Sequence, residues 1–562
     1  MGLPSVAIWR KMSGKAVLLL ANTFCFVSLV YEGCNQAVMG NVSAQPNFVN
    51  IMGLGENGII TRPIKQGGLI CIYYFAAMFG CFLGGWTGDR LGRRRGVFIG
   101  GLFCFLGGAL QTGGMNANMF ICARVISGIG IGFINSITCS WISELAKSHN
   151  RGFTFAVVFS ANYLGLMLIN WILYAIEDWN SPGLIWRFPL GCVCAPSIFL
   201  ICAVWFVPES PRWLVGQGQA GEAREILAKV RGDLSLDDPS LESEMRELIA
   251  MVETSHKRRN NLLNIWLGGR HSGRLHLGRR AVLAWAALFL MMYTGIMAMA
   301  TYAGALFKAS GASPEKIGWM AGLLQTFGFI GTLAGAPIID RFGRRATFLA
   351  GLIIQMIVLF LSAAFAKKSG DTTGSVSESW GSAAASMVYI YQFVFCSTTL
   401  VAAWVYPTEI WPQEIRAKGN AFGILGWAMG AGSTTLALPS MFDSLGWKTL
   451  LVFACFNVAT LPLIYYFFPE TANRSLEEVN LLFSLNNPLV SANEAEYHKM
   501  LAEANGNAAV AERRLLDLVD ESTGEKSVGA ITVHGHQGIS EEKGAYHWET
   551  GKEVSSNGSS SD

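Results

Sequence analysis

Charged side chains are scarce in this chain. Asp, Glu, Lys and Arg make up 14% of its 562 residues, whereas 51% are hydrophobic. Soluble domains carry roughly a quarter charged residues, so the composition does not fit a series of water-soluble domains. The apolar residues occur in blocks of about 20, which is the helix length needed to cross a bilayer core of about 30 Å. The sequence therefore predicts an all-α integral membrane protein.

Several kinds of site are also missing from the sequence. The 12 cysteines are scattered, and no pair has the spacing of metal ligands. A net charge of +3 gives little to attract nucleic acid. No nucleophile–base pair or phosphate-binding loop is evident, and the glycines of 128–132 suit helix packing. We therefore expect no enzymatic activity, no cofactor, no metal and no nucleic-acid partner.

The apolar blocks form two groups of six predicted transmembrane helices. The predicted domains are a cytoplasmic N-terminus at 1–15, a six-helix bundle at 16–207, a cytoplasmic linker with short helices at 208–280, a second bundle at 281–480 and a disordered cytoplasmic tail at 481–562. The predicted spans are 16–38, 67–88, 96–114, 118–141, 153–176, 185–207, 281–307, 316–339, 346–366, 385–407, 419–441 and 447–468.

Basic residues are divided unevenly between the short loops. The loops at 89–95, 147–151, 340–345 and 414–418 are rich in Arg and Lys and fall on one side of the membrane. Basic loops face the cytoplasm, so we expect both termini to be cytoplasmic, in a multi-pass protein of the plasma membrane. The sequon Asn41-Val42-Ser43 would then lie outside, where glycosylation can occur.

Two motifs of the first half recur in the second half. GGWTGDRLGRR (84–94) returns as GAPIIDRFGRR (335–345), and SELAKSHNRG (143–152) returns as TEIWPQEIRAKG (408–419). A parallel repeat of six spans is typical of transporters built from two bundles, whose substrate site lies between the bundles near the midplane.

These motifs also carry a family resemblance. Together with RVISGIGIG (124–132), PESPRWL (208–214) and PETANRSLEEV (469–479), they resemble the sugar porter branch of the major facilitator superfamily, and most of all its fungal members. The likeness covers residues 16 to about 480. It implies twelve helices in two six-helix bundles with an intracellular helical loop, transport by alternating access, and a small sugar-like or polyol-like cargo.

Charged residues of the repeated motifs are predicted to form a gate. Glu144 and Arg151 are seven residues apart, as are Glu409 and Arg416. Such ion pairs could latch the two bundles, and breaking a latch of about 1–3 kcal/mol would shift a two-state population roughly tenfold. The alternative is that the basic residues only set topology. The predicted gating residues are Asp89, Arg90, Arg93, Arg94, Arg124, Glu144, Arg151, Asp340, Arg341, Arg344, Glu409 and Arg416.

The resemblance also shows where the chain departs from the family. Sugar porters hold their cargo with carboxamides, which both donate and accept hydrogen bonds. A hydroxyl buried without a partner costs roughly 1–3 kcal/mol, so loss of carboxamides favours a flatter, more apolar or partly aromatic cargo over a hexose. The residues at matching carboxamide positions are Phe159, Met291, Met292, Met297, Gly328 and Trp427.

The cargo and its contacts remain open at this stage. A sugar, an organic acid and a secondary metabolite are all candidates. The methionines could instead pack against lipid or another helix, and Asn162 and Gln325 could be bonds between helices. The predicted substrate-binding residues are Asn162, Met291, Met292, Met297, Tyr302, Gln325, Trp404 and Trp427.

Coupling to protons is the last open question. Fungal proton symporters of the resembled family place an aspartate in span one, where this chain has Asn35. Glu32 lies one turn earlier, and an ionisable group inside a span is a functional candidate. Both positions are candidates for proton coupling, with uncoupled movement as the alternative. We expect a monomer in the bilayer that binds a small molecule; the competing function is a nutrient sensor that signals through its tail.

Overall fold

The computed structural model describes residues 8–145, 151–257, 276–309, 312, 314–372, 374–412, 415–472, 474, 476–485, 487–504, 507–508 and 510–511. Within this part, twelve helical segments are long and apolar enough to cross a membrane, which confirms the predicted number. Spans one to six are Gly14–Val42, Pro63–Leu91, Arg93–Thr112, Ala117–Leu145, Arg151–Ala175 and the broken pair Pro182–Cys192 and Cys194–Ala203.

The second half repeats this arrangement. Span seven is divided into Leu277–Met291, a π-helical turn Met292–Ile296 and Met297–Ala300. Spans eight to twelve are Pro314–Phe342, Arg344–Asp371, the pair Gly374–Ser397 and Thr399–Glu409, Arg416–Leu445 and Lys448–Phe467. The shorter elements are Ile8–Lys11, Pro46–Ile51, Pro211–Gly216, Ala220–Val230, Pro239–Lys257, Ala303–Ala309, Leu476–Leu482, Val490–Glu503 and the antiparallel strands Gly55–Glu56 and Ile59–Ile60.

The spans pack as two bundles that meet along two seams. In the first half span four packs on spans two and three, and span one packs on span five. In the second half span seven packs on span eleven, and spans eight, nine and ten pack together. The halves meet where span five contacts span eight and where span two contacts span eleven. This arrangement confirms the predicted two-bundle fold.

Small residues allow these helices to approach closely. A Cβ atom added at Gly128 would lie 2.4 Å from the Tyr73 carbonyl oxygen, within the first bundle. One added at Gly67 would lie 2.4 Å from the Leu436 carbonyl oxygen, across the seam between spans two and eleven. Packing through small residues replaces the hydrophobic effect, which does not drive helices together in lipid.

Span seven is broken at Gly295. This residue has φ +111°, a conformation that strongly favours glycine. The break frees the Thr294 carbonyl, which accepts hydrogen bonds from Asn457 Nδ2 at 3.1 Å and the Tyr391 hydroxyl at 2.9 Å. A backbone group freed in the membrane needs such partners. The sequence predicted a continuous span at 281–307. The structure differs from this prediction because a π-helical turn interrupts the helix.

Part of the predicted disordered tail is folded. Val490–Glu503 is a helix with Asn493 and Tyr497 buried. Its Asn493 Oδ1 accepts a hydrogen bond at 3.0 Å from Arg279 Nη1, at the start of span seven. The prediction of disorder over 481–562 is therefore wrong for this segment, because its apolar residues are buried against the second bundle rather than left in water. Residues 512–562 lie outside the described part.

The glycosylation sequon is built into the end of span one. Asn41 lies in the last turn of that helix, and its Nδ2 donates to Asn170 Oδ1 at 3.1 Å. Ser43 is fully buried. A glycosyltransferase needs an accessible loop, so the structure gives no support to glycosylation at this site in the folded protein.

Candidate functional site

A small cavity of about 30 Å³ lies between the two halves. It has room for only one or two water molecules, well below the ~300–1,000 Å³ of open ligand pockets, so the two halves close around this site in the structure. Spans one, five, seven, ten and eleven all contribute to it, and each lining residue is less than a tenth exposed. The cavity is therefore well sheltered from bulk water. Its lining residues are Glu32, Gln36, Phe159, Asn162, Tyr163, Met292, Ile296, Met297, Ala300, Phe395, Leu400, Trp404 and Trp427.

Most of the predicted substrate-binding residues come together here. Met292 and Met297 line the cavity; Met292 is the first residue of the π-helical turn and Met297 directly follows that turn. Asn162, Trp404 and Trp427 approach from three other spans.

Three predicted substrate-binding residues lie outside this lining. Met291 is fully buried, and it precedes Met292 by one residue, which places it on a different face of the helix. The Tyr302 hydroxyl donates to the Thr435 carbonyl oxygen at 3.1 Å. Gln325 Nε2 donates to the Met299 carbonyl oxygen at 2.8 Å. Tyr302 and Gln325 join segments of the second bundle, and all three residues lie outside the cavity lining in this structure.

Aromatic rings form one wall of the cavity and cross between the halves. The Phe159 and Trp404 ring centroids are 5.1 Å apart, and those of Trp404 and Trp427 are 6.3 Å apart. Trp427 in turn meets the Tyr74 ring edge-on, at 5.7 Å. We name Phe159, Trp404, Trp427 and Tyr74 the aromatic bridge. Two of the positions at which the family has carboxamides, 159 and 427, thus belong to a stack of rings that joins the first bundle to the second.

A tyrosine occupies the space beside Gly328. A Cβ atom added at Gly328 would lie 2.4 Å from Tyr163 Cδ1 and 2.8 Å from Gln392 Nε2. The missing side chain therefore makes room for the Tyr163 ring, which lines the cavity. Sequence reasoning missed Tyr163, as it missed Gln36 and Phe395. The available signal was that Tyr163 follows Asn162, a predicted site residue.

Glu32 brings a carboxylate to the cavity. Gln36 Nε2 donates to Glu32 Oε1 at 3.2 Å, one turn along the same helix. Asn35 lies outside the lining, and its Nδ2 lies 3.5 Å from the Tyr31 carbonyl oxygen. Of the two candidate coupling positions, Glu32 is the one at the cavity.

Arg124 is buried inside the first bundle. Its Nη2 donates to the Ile70 carbonyl oxygen at 3.1 Å and its Nη1 lies 3.5 Å from Gln111 Oε1. The guanidinium also lies 4.4 Å from the centroid of the Tyr73 ring. Arg124 therefore joins spans two, three and four, away from the other predicted gating residues.

The predicted gating residues of the first half lie at the end of the bundle that carries the basic loops, which we name the basic face. Arg93 Nη1 lies 2.9 Å from Asp89 Oδ1, and its Nη2 lies 3.1 Å from Glu144 Oε1. The exposed Arg90 stacks on the Trp86 ring at 4.6 Å instead.

The second half has the same arrangement. Arg344 Nη2 lies 2.6 Å from Glu409 Oε1 and 3.4 Å from Asp340 Oδ1. Arg341 stacks on the Phe342 ring at 5.6 Å. All these pairs lie within one half, and among the described side chains none of these pairs joins the two bundles in this structure. The side chains of Arg151 and Arg416 lie outside the described part.

Two further glutamates complete the basic face. Glu209, from PESPRWL, accepts from the backbone N–H groups of Arg93 at 2.9 Å and Arg94 at 3.2 Å. Glu470, from PETANRSLEEV, accepts from the N–H groups of Arg344 at 2.8 Å and Arg345 at 3.0 Å. Each carboxylate thus caps the N-terminus of a span.

The two capping glutamates were not among the predicted site residues. The similarity between PESPRWL and PETANRSLEEV was a signal that could have indicated them. Burial raises the pKa of the Glu209 carboxyl. The hydrogen bonds that it accepts from backbone N–H groups oppose this rise. The side chain of Arg94, whose backbone N–H bonds to Glu209, donates from Nη2 to the Trp205 carbonyl oxygen. Glu209 and Arg94 together fasten span three to the end of span six.

Comparison with known proteins agrees with this architecture. The chain is 27% identical over 481 residues to the sugar transporter STL1 of Saccharomyces cerevisiae, covering 84% of this chain and 82% of that protein. It is 26% identical over 486 residues to the major facilitator superfamily transporter mfsA of Aspergillus fumigatus, covering 84% and 87%. The structure of the proton:xylose symporter XylE bound to 6-bromo-6-deoxy-D-glucose matches with a TM-score of 0.68 at 21% identity, covering 84% of this chain and all of that one.

The family profile described as "Sugar (and other) transporter" matches residues 20–483. This range includes every residue of the cavity wall and all twelve spans except the first six residues of span one. The relatives are membrane transporters rather than enzymes. The chain is therefore a member of the sugar (and other) transporter family, with the fold of the major facilitator superfamily.

Proposed function

We propose that this transporter carries a small organic solute that is less polar than a hexose, by alternating access to the cavity between its two halves. The observation that carries the proposal is the composition of the cavity wall. Of its 13 lining residues, only Glu32, Gln36, Asn162 and the hydroxyl of Tyr163 offer polar side-chain groups beside two tryptophan N–H groups.

The energetics disfavour a hexose in this cavity. A hexose presents a ring of hydroxyls, and each hydroxyl that loses its partner costs roughly 1–3 kcal/mol. Met292 and Met297 cannot donate hydrogen bonds, and Phe159 presents only carbon atoms. Aromatic faces and thioethers instead suit a flat, partly apolar body. A cargo with an aromatic or alicyclic part and a few polar groups fits these walls better.

The relatives support transport as the function, and they are compatible with either a sugar or another organic solute as the cargo. One of them is named a sugar transporter and another a major facilitator superfamily transporter. None of this supports the alternative of a sensor that signals without moving its ligand. We assign transport to this chain and take its cargo from the cavity, as a secondary metabolite, an organic acid or a sugar with an apolar substituent.

Glu32 is the group through which we propose that protons couple to transport. It lines the cavity, and a buried carboxyl in a span is expected to act in proton or substrate movement. Asn35 cannot titrate and lies outside the lining. An uncoupler should lower accumulation of the cargo by the wild-type protein and leave that of Glu32→Gln unchanged.

We further propose a monomer in the plasma membrane with both termini in the cytoplasm. The cavity is complete within one chain. The basic loops at 89–95 and 340–345 lie on the same face, which the positive-inside rule assigns to the cytoplasm.

Uptake by cells that lack hexose carriers tests the cargo proposal. Labelled glucose and labelled phenyl β-D-glucoside share one sugar and differ by an apolar ring. We expect faster uptake of phenyl glucoside at equal concentration. Met297→Ala should lower the ratio of phenyl glucoside to glucose uptake, because Met297 lines the cavity.

Met291→Ala is the matched control for this experiment. Met291 is equally buried but lies outside the lining, so its truncation should lower the amount of folded protein and leave the uptake ratio unchanged. Glucose uptake that exceeds phenyl glucoside uptake, with the same ratio in both variants, would refute the proposal.

A further inference from the structure

Glu32 differs from the other buried carboxylates in its surroundings. At the basic face, Glu144 and Glu409 each lie within 3.1 Å of an arginine nitrogen. In the described part of the chain, no Lys, Arg or His nitrogen lies within 4 Å of the Glu32 carboxylate. The Gln36 amide, at 3.2 Å, is a neutral partner, and the Asn135 side chain also interacts with this carboxylate. A buried carboxylate is costly unless it is paired or neutralised, so a cargo that brings a positive charge would be held there.

The rest of the wall suits an organic cation better than a metal ion. The rings of Phe159, Tyr163, Trp404 and Trp427 surround the same cavity as Glu32. Aromatic faces attract ammonium groups through their quadrupole. A metal ion would need several charged or oxygen ligands, and the described residues include no group of three His, Cys, Asp or Glu side chains that could supply them.

One polar atom of the cavity wall lacks a hydrogen-bond partner. Asn162 lines the cavity and is 3% exposed, and its Nδ2 makes no hydrogen bond in the structure. Spans one and five touch at this point, since a Cβ atom added at Gly33 would lie 1.9 Å from the Asn162 carbonyl oxygen. The unsatisfied donor of Asn162 and the carboxylate of Glu32 therefore project from adjoining backbone. An unmade hydrogen bond in a buried site is costly, so a cargo with an acceptor beside its positive charge would satisfy both.

We propose that the cargo is an organic amine with an aromatic or alicyclic body and a hydrogen-bond acceptor. Its ammonium group pairs with Glu32, its body packs on Trp404 and Met297, and its acceptor receives the Asn162 N–H. This proposal rests on the proposed transport of a partly apolar solute, and it assigns to Glu32 the recognition of the cargo's charge.

Binding to the full-length protein in lipid nanodiscs tests the proposal. Phenethylamine and 2-phenylethanol share a phenylethyl body and differ in one charged group. By calorimetry, with empty nanodiscs subtracted, phenethylamine should bind roughly tenfold to hundredfold more tightly, the range for a hydrogen bond to a charged group. Glu32→Gln should abolish this difference, because a carboxamide carries no charge to pair with the ammonium group. The exposed Glu56→Gln is the matched control and should change neither.

The Asn162 contact has its own comparison. Asn162→Leu should weaken binding of 2-amino-1-phenylethanol relative to binding of phenethylamine, because only 2-amino-1-phenylethanol carries the acceptor. Equal binding of phenethylamine and 2-phenylethanol to the wild-type protein would overturn the proposal, whether or not Glu32→Gln folds. The proposed function would survive that result if phenyl glucoside is still carried in preference to glucose, so the two failures can be told apart.

Discussion

Single residues decide the chemistry of the cavity. Gly328 is the clearest case, because its missing side chain is replaced by the ring of Tyr163 from the other half. Phe159 and Trp427 likewise put rings where the resembled family has carboxamides, and both rings contact Trp404. These changes reinforce one another, since an apolar wall is stable only when its neighbours are apolar too. The replacements of carboxamides in the cavity wall therefore depend on one another through these ring contacts.

At the basic face, we expect Arg93→Ala to destabilise the protein strongly. Arg93 and Glu144 side chains are both 8% exposed, so removing the arginine leaves a buried charge unpaired. Breaking such a pair costs about 3–5 kcal/mol. Arg90→Ala removes an exposed arginine three residues before Arg93 and should change the free energy of unfolding by no more than about 0.5 kcal/mol. Thermal unfolding in detergent measures both. Equal unfolding temperatures for the two variants would contradict the assigned role of Arg93.

Among the elements, the long spans could be predicted and their breaks could not. Hydropathy found all twelve spans because each must cover a bilayer core with apolar side chains. Hydropathy gave no sign of the break at Gly295. This break depends on hydrogen bonds to the freed Thr294 carbonyl from Tyr391 in span ten and Asn457 in span twelve. The same limit explains the cavity residues. Met292 lines the cavity and Met291 does not, and hydropathy cannot distinguish two neighbouring methionines.

The folded part of the tail gives a prediction about truncation. Deleting residues after 485 removes the helix Val490–Glu503, which bonds to Arg279 at the start of span seven. Deleting residues after 511 keeps that helix. We expect the shorter chain to unfold at a lower temperature and the longer one to match the full-length protein in stability and uptake.

Both truncations can be compared by size-exclusion fluorescence after heating. A chain that ends at 485 and is as stable as the full-length protein would show that the helix contributes nothing. Loss of uptake in the chain that ends at 511, at normal stability, would instead revive a functional role for residues 512–562.

On the scale of the whole molecule, the two halves contact each other at the cavity wall and at the face opposite the basic loops. The aromatic bridge joins the halves along one wall of the cavity. At the opposite face spans one and seven touch, since a Cβ atom added at Gly40 would lie 1.3 Å from the Thr301 carbonyl oxygen. The ion pairs of Arg93 and Arg344 stay within single halves. We infer that ring stacking and backbone contact close the cavity, while the ion pairs keep each bundle rigid.

Gly40→Ala tests this account of closure. The added methyl group cannot fit against the Thr301 carbonyl, so spans one and seven should separate. Hydrogen exchange followed by mass spectrometry should show faster exchange in peptides that cover 36–43 and 297–303. Gly68→Ala is the control, because a Cβ atom there meets nothing within 4 Å. Unchanged exchange in Gly40→Ala would show that this contact does not close the cavity.

The central claim is that the cavity between the halves selects cargo by its apolar wall. Equilibrium binding of glucose and phenyl β-D-glucoside to the purified protein, with and without Met297→Gln, tests it most directly. We predict that the wild-type protein binds phenyl glucoside at least about tenfold more tightly, a difference of about 1.4 kcal/mol, and that Met297→Gln narrows the gap by restoring a carboxamide. Tighter binding of glucose by the wild-type protein, unaffected by Met297→Gln, would contradict the account.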